Sequence, residues 1–420
     1  MTREMKDSGI KWVHEIPKSW NVITGKYLFT NKKQVVGAKV EEYERLALTL
    51  NGVIKRSKDD SDGLQPDKFD TYQILRKNEL VFKLIDLQNI STSRVGLSPY
   101  LGIVSPAYII LKANKKVHPQ FAEKYYLMMW MNQIFNILGD AGVRSSLNAK
   151  ELLELPLPLP SLSEQKKIAD YLNKKCAEIS SIVTDIQKQI EVLEQYKRST
   201  ITEAVTKGLN PDAEMKVSRI FYMAPYNKKW HLSKIGYECS KLQRPICETE
   251  NEALICSNKG KVCIRPKEMS GKMVSEDHAM QGIKKNDIAI HGMDTWHGAI
   301  AYSEYSGKIT RVVHVCDSKQ EKRFIVYYMQ HLAFQGVYKL ISDGIRGNTS
   351  DFRSWEKVKD IYIAFPSYAE QKEIADYLDK KCAEIESIIV DKKSQLDVIE
   401  KYKRSLIYEY VTGKKEVVDE

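Results

Sequence analysis

Hydrophobic residues follow two different spacings along the chain, and the change of spacing occurs in the same order in each half. Short runs rich in aliphatic and aromatic residues, bounded by turn residues, predict strands. They are ELVFKLID (79–86), GIVSPAYIIL (102–111), DIAIHGMD (287–294) and RVVHVC (311–316). A helical stretch rich in Tyr and Met follows each set, at 121–138 and 323–341. We therefore expect α+β domains whose helical stretch packs on the sheet, with the Tyr and Met side chains in the core.

A longer helical pattern occurs twice. Residues 160–206 and 366–412 align without gaps and are identical at 30 of 47 positions. Each copy opens with an S-x-x-E capping box, at Ser161 and Ser367, which predicts a helix start. At about 1.5 Å per residue, each helix would extend about 60 Å.

Both helices carry apolar residues at alternating spacings of four and three, which is typical of a coiled-coil seam. The seam positions are Leu172, Cys176, Ile179, Val183, Ile186, Ile190 and Leu193 in the first helix, and Leu378, Cys382, Ile385, Ile389, Leu396 and Ile399 in the second. Lys392 interrupts the second seam. We expect the helices to pair antiparallel with a globular domain at either end. The alternative is that each seam packs only on its own domain.

The similarity extends into the globular parts, where it is weaker. The matching landmarks keep the same order: MKDSGIKWVHEIPKSW (5–20) with MKVSRIFYMAPYNKKW (215–230), NELVFKLID (78–86) with NDIAIHGMD (286–294), and GVR (142–144) with GIR (344–346). Missing such a repeat would misassign the fold. The chain is thus a duplication with pseudo-twofold internal symmetry, in which the helices share one role and the globular domains have diverged.

Composition changes this picture little. The chain has 420 residues, a formal net charge of +10 and a pI near 8.9, which permits nucleic-acid binding without requiring it. Seven cysteines without a CxxC pair argue against zinc or a disulfide framework. The N-terminal sequence has no signal-peptide pattern, so we expect a cytoplasmic protein.

No catalytic signature was found in the sequence. There is no G-x-x-x-x-G-K-[ST] phosphate loop and no Asn/Asp-Pro-Pro-aromatic tetrapeptide of an amino-methyltransferase, which LSPYLG (97–102) imitates poorly. PDAEMK (211–216) has the wrong spacing for a nuclease cluster, and His291 and His297 lack a carboxylate–histidine constellation for metal. We therefore expect a non-catalytic chain that holds no metal.

These motifs resemble the specificity subunit of type I restriction–modification enzymes over essentially the whole chain. The resemblance rests on the repeated P-x-x-x-E-Q-x-x-I-A entry to both helices, on MKDSGIKWVHEIPKSW, on KGLNPDAEMK (207–216) and on YEYVTGKKEV (408–417). It also rests on LIDLQNISTSRVGLSPYLGIVSPAY (84–108) and HGMDTWHGAIAYSEYSGK (291–308). The second half departs from the family pattern after Met215 and Lys216, which leaves the start of its globular domain less defined.

The resemblance implies four parts. These are target recognition domain 1 at 1–158, a conserved spacer helix at 159–208, target recognition domain 2 at 209–364, and a second conserved helix with the C-terminal tail at 365–420. Each recognition domain would read one part of a split double-stranded DNA site. The helices would dock two adenine-N6 methyltransferase subunits, and motor–nuclease subunits would join for restriction. S-adenosylmethionine, ATP and Mg would be used by those partners and not by this chain.

Residues that read bases are expected where the two halves differ, because a shared residue cannot distinguish two sequences. The candidates are Lys83, Gln88, Asn89, Ser91, Arg94, His291, Asp294, Trp296 and His297. Arg144 and Arg346 occupy equivalent positions and are expected to contact the DNA backbone, with a local ion pair as the alternative. Two other functions stay open: a coiled-coil scaffold that displays protein-binding domains, and the recognition subunit of a related system in which methyltransferase and nuclease share one polypeptide.

Overall fold

The structure, a computed structural model, describes residues 3–50, 52–60, 68–87, 94–139, 146–266, 277–342 and 352–418. The chain divides into two compact units. Unit 1 comprises Met1–Ile186 and Lys393–Glu420, and unit 2 comprises Gln187–Lys392.

Unit 1 contains twelve strands among its described residues. They are β1 (Met5–Asp7), β2 (Glu15–Pro17), β3 (Asn21–Thr24), β4 (Phe29–Thr30), β5 (Leu46–Thr49), β6 (Gly52–Lys55), β7 (Gln73–Leu75), β8 (Leu80–Lys83), β9 (Arg94–Leu97), β10 (Gly102–Val104), β11 (Ile109–Ala113) and β12 (Pro156–Leu159). Its described α-helices are α1 (Pro119–Met131), α2 (Ile134–Leu138), α3 (Ala149–Glu154), the first part of α4 (Leu162–Lys207) and the last part of α9 (Tyr368–Val411).

A four-stranded antiparallel sheet in the order β4–β11–β8–β9 forms the centre of unit 1. Two-stranded pairs β1–β2, β3–β12, β5–β6 and β7–β10 surround it. Phe82 of β8 and Tyr126 of α1 are fully buried, with ring centroids 5.0 Å apart, so α1 packs on one face of the sheet. The other face packs on β5 and β6 through a second, smaller core that includes Val81 and Leu48.

Unit 2 also has twelve strands among its described residues. They are β13 (Met215–Lys216), β14 (Tyr226–Asn227), β15 (His231–Lys234), β16 (Cys239–Leu242), β17 (Leu254–Cys256), β18 (Val262–Ile264), β19 (Met280–Ile283), β20 (Ile288–His291), β21 (Ile300–Tyr302), β22 (Gly307–Thr310), β23 (Val313–Ser318) and β24 (Tyr362–Phe365). Its described α-helices are the last part of α4, α5 (Ile235–Glu238), α6 (Lys322–Phe334), α7 (Val337–Leu340), α8 (Trp355–Lys359) and the first part of α9 (Tyr368–Val411).

The strand pairing of unit 2 repeats that of unit 1 throughout the described residues. Its central sheet has the order β16–β23–β20–β21, and its outer pairs are β13–β14, β15–β24, β17–β18 and β19–β22. The helix on the sheet breaks at the same place in both units, because Gln133 and Gly336 both adopt a left-handed conformation. The internal duplication and the α+β class predicted from the sequence are therefore confirmed.

The two long helices contribute to both units, and within each unit they run antiparallel. In unit 1, the hydroxyl of Tyr410 near the end of α9 donates to that of Tyr171 near the start of α4. In unit 2, Lys197 of α4 binds Glu386 of α9. None of the described helices combines the length and the hydrophobicity that a membrane-spanning segment requires.

Candidate nucleic-acid interface

The central strands β8 and β20 end in equivalent polar positions. Lys83 closes β8 and Asp86 follows three residues later. His291 closes β20 and Asp294 follows at the same spacing. One base and one acid thus lie at the same edge of each sheet, and only the basic residue differs between the units.

In unit 1, the registered neighbour of Lys83 is Arg94, the first residue of β9. Like charges directly opposite each other on antiparallel strands repel. Burial lowers the pKa of Lys83, the charge of Arg94 lowers it further, and Asp86 acts in the opposite direction. This edge therefore concentrates positive charge in a half-buried place, where an anion would relieve the repulsion.

Two further arginines, Arg45 and Arg56, lie close to this edge, and no sequence pattern predicted them. Burial raises the pKa of Tyr108, while the positive charges of Arg94, Arg45 and Arg56 lower it, which places all three guanidinium groups near one phenol. The guanidinium of Arg45 stacks 5.2 Å from the ring centroid of Phe69. Because these arginines come from separate strands and turns, only the folded sheet brings them together.

In unit 2, His291 is a neutral hydrogen-bonding group. The backbone N–H of Asp294 donates to Nδ1 of His291 at 3.2 Å, and the Asp294 carboxylate lies 3.3 Å from the same nitrogen. Burial lowers the pKa of His291 despite this carboxylate, and Arg353 lowers it further. A ring whose Nδ1 accepts a hydrogen bond carries its proton on Nε2, which leaves Nε2–H as the donor.

The neighbouring short helix Thr295–His297 separates two kinds of predicted residue. His297 is half-exposed, and its Nδ1 lies 3.9 Å from a carboxylate oxygen of Asp294. Trp296 instead packs against the main core of unit 2, and the ammonium of Lys339 lies 5.7 Å from its ring centroid. The structure thus brings His291, Asp294 and His297 together at one edge and turns Trp296 largely inward.

Five predicted residues lie outside the described part of the chain: Gln88, Asn89, Ser91, Arg144 and Arg346. Two described residues, Ser146 and Phe352, directly follow undescribed stretches that contain Arg144 and Arg346. Ser146 forms a bridge with Ile85 after β8, and the carbonyl of Phe352 accepts from the buried ring of His314 at 2.7 Å, given the tautomer with a proton on Nε2.

A repeated S-x-Y-x-G motif fixes the turns behind both edges. The Ser98 hydroxyl donates to the carbonyl of Tyr100 at 2.9 Å, and Ser303 does the same with Tyr305 at 2.7 Å. A Cβ on Gly102 would lie 2.5 Å from a backbone oxygen, as would one on the equivalent Gly307 at 2.4 Å. The stretch that resembled a degenerate methyltransferase motif therefore has a structural role.

The coiled-coil residues are buried or half-buried where the structure describes them. Leu172, Cys176 and Ile179 join the core of unit 1 together with Leu406 and Ile407 of α9. Leu378 and Cys382 join the core of unit 2 together with Ile201 and Val205 of α4. The two interpretations of the seam therefore both hold for its first turns, which pack on the other helix and on the domain at once. The seam continues through Val183, Ile186, Ile190, Leu193, Ile385, Ile389, Leu396 and Ile399. Lys392, which interrupts the seam of α9, is half-buried.

A tryptophan connects the globular part of each unit to both helices. In unit 1, the indole N–H of Trp20 donates to Glu164 at 3.0 Å, and a Cβ on Gly413 would lie 3.0 Å from the same ring. In unit 2, Trp230 donates to Glu370 at 3.2 Å, and a Cβ on Gly208 would lie 3.2 Å from its ring. The start of one helix and the end of the other thus meet at one side chain.

The adjacent glutamine of the repeated E-Q pair serves the sheet helix. Gln165 accepts the backbone N–H of His118 at 2.7 Å, just before α1. Gln371 accepts that of Glu321 at 3.1 Å, just before α6. The E-Q dipeptide therefore fixes the orientation of each domain on its helix.

Known proteins have sequences similar to this chain. Residues 20–192 match the family model of the type I restriction modification DNA specificity domain. The proposed MjaX specificity subunit of a type I restriction enzyme from Methanocaldococcus jannaschii is 26% identical over 324 residues, covering 73% of this chain and 70% of that protein. The MjaVIII specificity subunit from the same organism is 23% identical, covering 74% of each chain.

A solved structure has the same fold. It is a chain from work on complex assembly and conformational transition of the type I R-M system, with a TM-score of 0.66 and 11% identity over 95% of this chain and 99% of that one. The class is thus a duplicated α+β protein with paired long helices. Residues 20–192 are similar to the type I DNA specificity domain, and the resemblance of the chain to the specificity subunits of type I restriction–modification enzymes is confirmed.

Proposed function

We propose that this chain is the DNA-recognition subunit of a type I restriction–modification complex. The observation that carries the proposal is the identical strand pairing of the two units combined with different residues at the equivalent edges of β8 and β20. Two domains with the same strand pairing but different polar residues at the equivalent sheet edge suit a protein that reads two different half-sites of one DNA.

The chemistry of the two edges differs in a way that supports separate targets. Lys83 and Arg94 offer charged donors, which suit phosphates or the O6 and N7 acceptors of guanine. His291 offers a neutral donor beside the Asp294 carboxylate, which accepts, and this pairing suits the mixed pattern of another base edge. Arg45 and Arg56 add positive charge near this edge from within the fold, since Arg45 is buried and Arg56 pairs with Asp60 at 2.7 Å.

The remaining parts follow the same proposal. Residues 1–158 and 209–364 would form the two recognition domains, and the helical regions 159–208 and 365–420 would set the spacing of a bipartite, asymmetric site. The helices would also dock two adenine-N6 methyltransferase subunits, with motor–nuclease subunits joining for restriction. Catalysis would belong to those partners.

Single-molecule methylome sequencing tests the proposal. The chain would be expressed with its cognate methyltransferase subunit in a host free of DNA methylation. We expect N6-methyladenine on both strands of one split motif with a fixed spacer. A continuous motif would contradict the two-domain arrangement. Absence of methylation by a partner that is active with another specificity subunit would favour the protein-binding scaffold.

A further inference from the structure

Arg353 lies beside the edge of unit 2 that carries His291 and Asp294, although no sequence pattern predicted it there. Its backbone packs on Gly292, since a Cβ on Gly292 would lie 2.9 Å from Cα of Arg353. Its guanidinium donates through Nη2 to Sδ of Met293 at 2.7 Å. Gly292 and Met293 are the two residues that separate His291 from Asp294 in the chain. Arg353 therefore contacts the turn that carries the predicted base readers.

The residue before Arg353 fixes its position. The side chain of Phe352 is buried in the main core of unit 2, and its ring centroid lies 5.3 Å from that of Tyr338. The carbonyl of Phe352 accepts from the buried ring of His314 at 2.7 Å. Because both the side chain and the carbonyl of Phe352 are held, the backbone at Arg353 has little freedom. A group that recognises a ligand needs such support from its surroundings.

The equivalent position in unit 1 has the opposite orientation. Helices α3 and α8 begin 206 residues apart, at Ala149 and Trp355, and the same spacing pairs Leu147 with Arg353. It also pairs Ser146 with Phe352.

In unit 1, Ser146 is exposed and Leu147 is buried, whereas in unit 2 Phe352 is buried and Arg353 is exposed. Unit 2 therefore presents a cation at a place where unit 1 presents an apolar core residue. A residue that only one domain presents can distinguish one half-site from the other, which a shared residue cannot do.

Arg353 also changes the charge of its edge. His291 is neutral, because burial lowers its pKa and the charge of Arg353 lowers it further. The Asp294 carboxylate, 3.3 Å from the ring of His291, would on its own repel the phosphates of DNA. A guanidinium stays charged at neutral pH, so Arg353 offsets the charge of Asp294.

The chemistry of the guanidinium indicates which base it would contact. Arginine presents its N–H donors in a planar fork, and this fork matches the O6 and N7 acceptors of guanine in the major groove. The bond to Met293 is weak, because a thioether sulfur is a poor acceptor. The guanidinium can therefore exchange the sulfur for the two acceptors of a guanine.

We infer that Arg353 reads a guanine in the half-site that unit 2 recognises. The inference rests on the proposed function and adds to it one residue and the base that this residue selects. Phe352 and His314 hold the backbone of the arginine in position, and Gly292 allows that backbone to approach the edge.

Methylome sequencing tests the inference, with the full chain and its cognate methyltransferase subunit expressed in a host free of DNA methylation. One variant is Arg353→Leu, which removes the donors and matches the leucine of unit 1. Another is Arg353→Lys, which keeps the charge but loses the planar fork. The matched control is Arg219→Leu, because Arg219 is also an exposed arginine of unit 2 and lies between β13 and β14.

We expect one G·C position in one half of the split motif to relax in Arg353→Leu. The preference for guanine there is expected to fall roughly ten- to a hundredfold, which is typical of losing one bidentate base contact. The other half of the motif is expected to stay unchanged. Arg353→Lys is expected to keep part of the preference, and Arg219→Leu is expected to give the wild-type motif.

An unchanged motif at the wild-type level of methylation in Arg353→Leu would overturn the inference, as would relaxation confined to an A·T position or equal relaxation in the control. Weaker methylation of an unchanged motif would assign Arg353 to a phosphate contact and overturn base reading. If Arg353→Leu abolishes methylation, Arg353→Lys decides: a reduced preference for guanine supports the inference, and an undiminished preference overturns it. Absence of methylation with the wild-type chain, by a partner that is active with another specificity subunit, would instead refute the proposed function.

Discussion

Single residues in equivalent positions determine how each globular part is joined to the helices. Glu164 and Glu370 were expected to complete capping boxes, and the hydroxyls of Ser161 and Ser367 do accept their backbone N–H groups at 3.3 Å. The carboxylates bind elsewhere: Glu164 accepts the indole N–H of Trp20 and also pairs with Arg3 at 2.6 Å. One glutamate thus serves a helix start with its backbone and a tertiary contact with its side chain.

Replacing Gly413 with alanine is expected to destabilise unit 1. Gly413 has a φ of +74°, and a Cβ there would lie 2.4 Å from Pro17 and 3.0 Å from Trp20. Backbone strain alone costs on the order of 1 kcal/mol, and the collision is expected to bring the loss to about 2–3 kcal/mol. Gly9 is the control, because its φ is +68° and no atom lies within 4 Å of the added Cβ. Urea unfolding of both variants measures the difference, and equal losses would show that the contact with Trp20 is unimportant.

His331 is expected to make unit 2 sensitive to acid. Burial lowers its pKa to about 4, while Nδ1 lies 3.0 Å from the hydroxyl of Thr202 on α4. Because the folded state binds the proton less well than the unfolded state, stability is complete above the ordinary pKa near 6.5. It falls as the pH drops from about 6.5 to 4, by at most about 3 kcal/mol.

Thermal unfolding between pH 7 and pH 4 measures this effect. His331→Gln keeps a neutral polar side chain, so its melting temperature is expected to fall less over this range than that of the wild type. If the melting temperatures of the wild type and the variant fell by the same amount over this pH range, groups other than His331 would cause the loss of stability in acid.

At the scale of elements, the two units share their sheets but differ in how they are tied to the helices. In unit 2, Glu386 of α9 binds Lys197 of α4 and Lys261 of the β17–β18 hairpin. The equivalent position in unit 1 is Ser180, whose hydroxyl donates to the carbonyl of Cys176 within its own helix. The hairpin of unit 2 therefore has an ionic tie to the helices at a position where unit 1 has a bond within the helix.

Removing the charge of Glu386 is expected to loosen the β17–β18 hairpin. Burial opposes ionisation of Glu386, but its bonds to both lysines outweigh burial and lower its pKa. In Glu386→Gln, hydrogen exchange in residues 254–264 is expected to accelerate several-fold, consistent with a loss of about 1 kcal/mol. The control is Glu384→Gln on the same helix, because Glu384 pairs at 2.9 Å with Lys381, which lies on the same helix. Unchanged exchange in Glu386→Gln would show that other contacts hold the hairpin.

The sequence predicted the repeated elements well because they depend on local patterns. The strands around residues 80–83 and 288–291, the buried Tyr125 and Tyr126, and both long helices all follow from spacing and propensity. The register that sets Lys83 opposite Arg94 was not predictable, because the pairing of β8 with β9 depends on contacts between strands and not on the local pattern of either strand. The approach of Arg45 and Arg56 to Tyr108 depends on the same long-range pairing. Gln88, Asn89, Ser91, Arg144 and Arg346 stay predictions.

At the scale of the whole molecule, equal scaffolds predict that the two half-sites can be changed independently. Asp294→Asn combined with His297→Ala alters polar groups at the edge of unit 2 without touching unit 1. On the proposed function, methylome sequencing of this variant is expected to give a motif that is relaxed in one half and unchanged in the other. Relaxation of both halves would contradict independent reading, and an unchanged motif would remove these two residues from the list of base readers.

Residues 393–418 belong to unit 1, although the rest of that unit precedes residue 187. Leu406, Ile407 and Val411 are part of its core, and Gly413 lies against Trp20. During synthesis the ribosome therefore releases every residue of unit 2 before it releases the last core residues of unit 1. Domains commonly fold in order from the N-terminus as they emerge. In this chain, synthesis of unit 1 begins first and ends last. The apolar surface of unit 1 that Leu406, Ile407 and Val411 cover must therefore stay exposed while the whole of unit 2 is made.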